Sequence, residues 1–107
     1  MKTYKLSDVE RIIGIPRRAA QFYTTEGIIT PASGGGKRGQ AWIYSETDLI
    51  KFRALNIFVE CGLTISRIKI IFDNTPADKL AAKAIKIHKI IYGVDIKSST
   101  LLEIVNR

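Results

Sequence analysis

Two arginines and a glutamine lie close together in the first quarter of the chain and carry chemistry suited to nucleic acids. Arg17, Arg18 and Gln21 are separated by little more than one helical turn. A guanidinium group can donate two parallel hydrogen bonds to O6 and N7 of guanine, and an amide can pair with N6 and N7 of adenine. Either group can also hold a phosphate. These residues predict a nucleic-acid contact surface, with an ordinary solvated helix face as the alternative.

A glycine-rich segment at residues 33–39 holds a second set of candidates. Lys37 and Arg38 are adjacent within it, and Trp42 follows closely. Glycine lets the backbone approach a phosphodiester, and neighbouring cations gain free energy by neutralising phosphates. A flexible solvated turn is the alternative. The segment is not a Walker A loop, because no serine or threonine follows the lysine.

The overall charge supports a polyanionic partner. Seventeen Lys and Arg residues stand against ten Asp and Glu residues, which gives a net charge of +7. Such a surface attracts polyanions by electrostatic steering and counterion release. Nucleic acid is the leading partner, and an acidic protein or membrane surface comes second. A general lysine bias with no partner is the remaining alternative.

Several function classes are excluded by what the chain lacks. Cys61 is the one cysteine, so no internal disulfide or cysteine-based zinc site is expected, and His88 has no metal ligands at a suitable spacing. No nucleophile–base or paired-carboxylate pattern appears, so we expect neither catalysis nor a cofactor. The 107 residues suffice for one core and contain no apolar run long enough to span a membrane. Without a signal peptide, a cytoplasmic protein is expected.

Residues that typically start or end helices precede the arginine pair. Ser7 and Glu10 have the spacing of a capping box, which predicts a first helix that begins at Ser7 and stops at Gly14. Pro16 then opens a second helix over residues 17–26. Two short helices joined by a glycine-containing turn are typical of a helix-turn-helix unit.

Helical spacing divides the second helix into two faces. Its inward face is expected to consist of Ala19, Ala20 and Tyr23. The polar residues are left on the outward face: Arg17, Arg18, Gln21 and Thr25.

The sequence pattern changes from helical to extended after the second helix. Residues 28–31 have an extended pattern that ends at a proline, and residues 40–44 are aromatic and rich in β-forming types. Together with the glycine-rich segment they predict a small β-hairpin over residues 28–44, with Lys37 and Arg38 at its tip. In a DNA-binding protein such a hairpin is called a wing.

Three further helices are predicted downstream. Ser45 and Thr64 are N-cap residues for a third and a fourth helix, and the fourth closes before Asp73. Pro76 starts a fifth helix that ends at Gly93. Residues 94–107 are expected to add a terminal helix.

Apolar residues in the fifth helix are spaced alternately by three and four, as in a coiled-coil seam of two heptads. This spacing predicts a dimer interface, whose residues are Ala77, Leu80, Ala84, Ile87 and Ile91. Packing of the same seam on the chain's own domain is the alternative.

Several short sequence segments occur in a characteristic order and spacing along the chain. They include YKLSDV at residues 4–9, QFY at 21–23, EGIITP at 26–31, YSE at 44–46 and CGLTI at 61–65. This arrangement, over about residues 4–73, resembles the DNA-binding domain of MerR-type transcription regulators.

The resemblance implies a mostly helical, winged helix-turn-helix domain at residues 1–74 and a dimerisation helix with a tail at residues 75–107. It further implies a homodimer that binds a palindromic operator in double-stranded DNA and regulates transcription in a bacterium or mobile element. RNA polymerase or another DNA-bound protein is a further candidate partner. The DNA-contacting residues expected from the resemblance are Arg17, Arg18, Gln21, Tyr23, Lys37, Arg38 and Trp42.

Two positions depart from the family pattern. Gln21 and Trp42 stand where many members carry arginine, and we hypothesise that the arginines at positions 17, 18 and 38 supply the missing charge. An architectural DNA-bending factor, such as an excisionase or a partition accessory protein, is a second interpretation. A protein-interaction module that has lost DNA binding is a third.

Overall fold

The computed structural model of the protein describes residues 2–35 and 40–92. Within these ranges the chain forms five helices in the predicted order, so the expectation of a mostly helical fold is confirmed. The helices are α1 (Leu6–Ile13), α2 (Arg17–Thr25), α3 (Glu46–Glu60), α4 (Ile65–Asn74) and α5 (Ala77–Tyr92).

Helix α1 begins earlier than the predicted capping box requires. Its N-cap is Lys5, whose backbone N–H donates to Oδ2 of Asp8 at 2.9 Å, so Ser7 lies inside the helix. Asp8 also accepts a hydrogen bond from Arg11 at 3.0 Å. These two donors lower the pKa of the Asp8 carboxyl, with the backbone donor contributing most. The predicted start at Ser7 was wrong because Asp8 occupies the N3 position that the prediction gave to Glu10.

The end of α2 holds the first residues of the predicted hairpin. The backbone N–H groups of Ile28 and Ile29 donate to the carbonyl of Tyr23, at 3.1 and 3.4 Å, after a left-handed Gly27. The two isoleucines are buried and cap the helix instead of pairing with a second strand. The β-hairpin over residues 28–44 is therefore not confirmed.

Two single backbone bridges replace the expected hairpin in the part of the chain that the structure describes, where no strand forms. Ser33 and Ile43 exchange two hydrogen bonds of 3.2 and 2.8 Å, which closes a loop between them. Tyr44 pairs with Tyr4 from the N-terminal segment through bonds of 2.8 and 2.9 Å. We call residues 33–43 the wing loop.

Helix α3 forms the centre of the core. It starts as predicted, because Ser45 accepts a hydrogen bond from the Asp48 N–H while Asp48 accepts one from the Ser45 N–H. Its fully buried apolar residues are Leu49, Phe52, Ala54, Leu55, Ile57 and Phe58. The ring of Phe52 makes an edge contact with Tyr44, and Phe58 makes one with Phe72 of α4.

Helices α4 and α5 complete the described part of the fold. α4 starts at the predicted cap, Thr64, but runs through Asp73 to Asn74, whose amide donates to the Ile70 carbonyl. α5 packs mainly on α3 of the same chain, so Leu80 and Ala84 are buried without any second subunit. No helix among the described residues has the length and apolarity needed to cross a membrane.

One buried polar contact connects α2 to the end of the wing loop. The Tyr44 hydroxyl and the Thr24 hydroxyl are 2.8 Å apart, and Thr24 also donates to the Ala20 carbonyl. Tyr44 is fully buried and Thr24 nearly so. Burial raises the pKa of the Tyr44 phenol, so it stays protonated at neutral pH and able to share this bond.

We predict that Thr24→Val destabilises the fold more than Tyr44→Phe. Valine leaves the buried Tyr44 hydroxyl without its partner, which costs about 1 to 3 kcal/mol, whereas phenylalanine leaves Thr24 bonded to Ala20 and costs about 1 kcal/mol. Urea unfolding measures both. Thr25→Val is the matched control, because Thr25 is exposed, and its effect should stay within about 0.5 kcal/mol. Equal losses for all three variants would contradict this assignment.

Candidate nucleic-acid interface

The outward side of α2 is cationic and polar, as the helical spacing predicts. Arg17, Arg18, Gln21 and Thr25 are all exposed. Residues four apart are neighbours on a helix surface, so Arg17 lies beside Gln21 in one row. Arg18 begins a second row, and α2 contains no acidic residue.

Phe22 belongs to that second row and was not predicted as a site residue. Its side chain is 47% exposed and lies four positions after Arg18. The rings of Phe22 and Tyr23 make an edge contact, with their centroids 5.7 Å apart. The signal was available in the sequence, since residue 22 falls on the outward face by helical spacing. An exposed phenylalanine on such a face can contact the methyl group of thymine.

Glu10 holds the first residue of α2. One carboxylate oxygen accepts a hydrogen bond from the Arg17 backbone N–H and the other accepts one from its Nε, both at 3.2 Å. Pro16, the N-cap, has no side-chain acceptor for this helix, so Glu10 of α1 supplies one. The predicted capping role of Glu10 within α1 is thus replaced by a role at the start of α2.

The wing loop is closely packed at its base. Gly34 and Gly35 both have positive φ angles, and a Cβ on Gly34 would overlap the Ala41 carbonyl. A Cβ on Gly35 would overlap the indole of Trp42, which is half-buried. Glycine is therefore required twice here, once for the turn and once for the ring that lies against the backbone.

The base of the wing loop and the outward side of α2 meet at one shallow depression. Gln21 lines it from α2, and Gly35, Gln40 and Trp42 line it from the wing loop. Leu6 of α1 and Ala41 complete the lining. The structure thus brings together three predicted elements of the site: Gln21, Trp42 and the glycine-rich segment.

The remaining predicted site residues are placed as follows. Tyr23 is half-buried and packs against the core. Its carbonyl accepts the N–H of Ile28, which follows the end of α2. Lys37 and Arg38 belong to residues 36–39, which lie outside the described residues. Their contact with DNA stays a prediction.

The predicted dimer seam on α5 divides into two groups. Leu80 and Ala84 are buried against the chain's own core, the arrangement that the alternative interpretation describes. The reason is that one apolar face at helical spacing serves a neighbouring helix of the same chain as well as one of a partner. Ala77 and Ile87 are half-buried, and the side chain of Ile91 lies outside the described residues.

The described residues include neither a group of candidate metal ligands nor an activated thiol. No three His, Cys, Asp or Glu side chains in residues 2–35 and 40–92 are grouped as metal ligands. Cys61 is half-buried, and burial raises the pKa of its thiol. At neutral pH it is therefore a neutral, weakly nucleophilic group.

Comparison with known proteins agrees with this geometry. The sequence pattern of the MerR helix-turn-helix regulatory proteins matches residues 4–75, about two thirds of the chain. The chain belongs to the MerR family. Membership makes it a DNA-binding protein that regulates transcription. The short helices α1 and α2 fit a helix-turn-helix. No curated protein matches the chain closely enough to count as a relative.

We predict that Gly35→Ala displaces Trp42 and weakens binding to DNA. The new methyl group would occupy the position of the indole, so the ring must move. Trp42 is the one tryptophan in the chain, and its fluorescence emission should shift to longer wavelength as the ring becomes exposed.

Gly62→Ala is the matched control for this variant. Gly62 has a similar φ of 86°, but a Cβ there would meet no other atom within 4 Å. The control should carry the backbone strain without the fluorescence shift. A Gly35→Ala protein with unchanged emission and unchanged DNA affinity would refute the packing role of the wing loop.

Proposed function

We propose that the protein is a sequence-specific regulator that binds double-stranded DNA as a homodimer on a palindromic operator. The depression shared by Gln21, Gly35, Gln40 and Trp42 is the observation that carries this proposal, because it makes α2 and the wing loop one continuous surface. A surface with two adjacent parts can contact base edges and the flanking backbone of one duplex at the same time.

Readout is assigned to the two rows of α2. Arg17 and Gln21 carry groups that pair with guanine or adenine edges, and Arg18 can neutralise a phosphate. Phe22 adds an apolar contact in the same row as Arg18. The exposed side of a helix of this diameter fits the major groove.

The wing loop is assigned to the backbone of the neighbouring groove. Lys37 and Arg38 follow Gly35 after one further glycine, so the proposal places them near the phosphates that flank the α2 contacts. Within the wing loop, the Trp42 indole packs against Gly35. It also lines the depression beside Gln21, and the proposal places a sugar-phosphate strand in this depression.

A homodimer follows from the symmetry of the proposed operator. Two-fold related half-sites are bound by two-fold related subunits, and half-site spacing is then set by the dimer. Leu80 and Ala84 are occupied within the chain, so we assign the interface to the C-terminal end of α5. Ile90 is 73% exposed there, next to Ile87 and Ile91 of the predicted seam.

Selection of duplexes from a random library tests the function directly. The proposal predicts enrichment of an inverted repeat, with one half-site for each subunit. Enrichment of a single half-site would contradict the homodimer. Failure to enrich any duplex at low salt would contradict DNA binding and favour the interaction-module interpretation.

Removal of the three proposed cations tests the surface itself. The triple variant of Arg17, Arg18 and Arg38 to alanine should lose affinity, and the slope of log K against log salt should become shallower by about 2 to 3 for each subunit. Anisotropy titrations at several salt concentrations measure both quantities.

The matched control removes the same charge from α5. Lys79, Lys83 and Lys86 are exposed on that helix, and their triple alanine variant changes the net charge equally. Its salt slope should stay close to that of the wild type. Equal changes in the two triple variants would refute the assignment of the DNA surface to α2 and the wing loop.

A further inference from the structure

Arg17 and Arg18 are adjacent but differ in how firmly they are held. Arg17 is bound to Glu10 through both its backbone and its Nε. The side chain of Arg18 makes no hydrogen bond or ion pair within residues 2–35 and 40–92, the part of the chain that the structure describes. The two guanidinium groups therefore face solvent with different amounts of conformational freedom.

The Glu10–Arg17 pair is exposed, so it adds little to the stability of the fold. The side chains are 46% and 61% exposed, and pairs in such a setting contribute about 0 to 1 kcal/mol. The pair matters instead for the orientation of the Arg17 guanidinium group. A guanidinium group bonded at Nε keeps N–H donors on its two terminal amino groups available.

A carboxylate beside a DNA-reading arginine has two opposite effects. It repels the phosphate backbone and thereby weakens binding to any duplex. It also fixes the arginine in one orientation, which lowers the entropy lost when the correct base is bound. The first effect acts on all sequences, whereas the second acts only where the fixed orientation matches a base.

We propose that Glu10 is a specificity-determining positioning residue, which orients Arg17 for base readout and makes non-specific binding less favourable. This inference rests on the proposed function. It assigns Arg17 to sequence readout and the unrestrained Arg18 to phosphate neutralisation. Glu10 itself contacts no base and acts through Arg17.

The test compares affinities of variants for the selected operator and for a scrambled duplex of equal length. Glu10→Gln keeps one oxygen that can accept from the Arg17 N–H, so α2 retains its start, but the charged two-point hold is lost. Affinity for the scrambled duplex should rise, and the ratio of operator to scrambled affinity should fall by about tenfold. Thermal unfolding checks that the variant is folded.

Asp8→Asn is the matched control. It removes one negative charge from the same helix, at a carboxylate that pairs with Arg11 at 3.0 Å instead of with α2. Both duplexes should gain affinity by the same factor, so the ratio should not change. A Glu10→Gln ratio equal to that of Asp8→Asn would overturn the proposal.

Double variants show whether Glu10 acts through Arg17. In an Arg17→Lys background, Glu10→Gln should leave the ratio unchanged, because lysine cannot form the forked contact. In an Arg18→Lys background it should lower the ratio as it does in the wild type. Equal effects in both backgrounds would assign Glu10 a general electrostatic role and overturn the positioning role.

A measurement without DNA separates this inference from the proposed function. The Arg17 Nε–H resonance of the free protein should exchange slowly with water in the wild type and fast in Glu10→Gln; fast exchange in both would overturn the inference alone. A wild-type protein with no preference between operator and scrambled duplex would overturn the proposed function together with this inference.

Discussion

Tyr44 connects the parts of the chain that must keep a fixed relation to each other. Its backbone pairs with Tyr4, its ring packs on Phe52 of α3, and its hydroxyl bonds to Thr24 of α2. The residue also ends the wing loop, one position after Ile43 closes that loop on Ser33. The position of the wing loop relative to α2 therefore depends on one buried side chain whose polar group is fully satisfied.

Local signals predicted most of the helical framework. The Ser45–Asp48 capping box and the Thr64 cap act over three residues, and the structure has both. The predicted β-hairpin is not confirmed, because the N–H groups of Ile28 and Ile29 bind the end of α2. β propensity describes a residue's preference, and it does not say which carbonyl will receive its N–H.

The site was predictable in its residue types but not in its contacts. Helical spacing placed the arginines and Gln21 outward, and the same spacing would have revealed Phe22. The bond between Glu10 and Arg17 crosses between two helices, so Glu10 could equally serve as a cap within α1 by sequence alone. Likewise, the apolar spacing of α5 does not distinguish α3 of the same chain from a second subunit.

Amide chemical shifts recorded while a selected duplex is added test most directly whether α2 and the wing loop form one DNA-binding surface. We expect the largest shifts to fall together on residues 17–25 and 33–43, and the amides of α5 residues such as Lys79 and Lys83 to shift little. Large shifts confined to α4 and α5, with residues 17–25 unchanged, would contradict it.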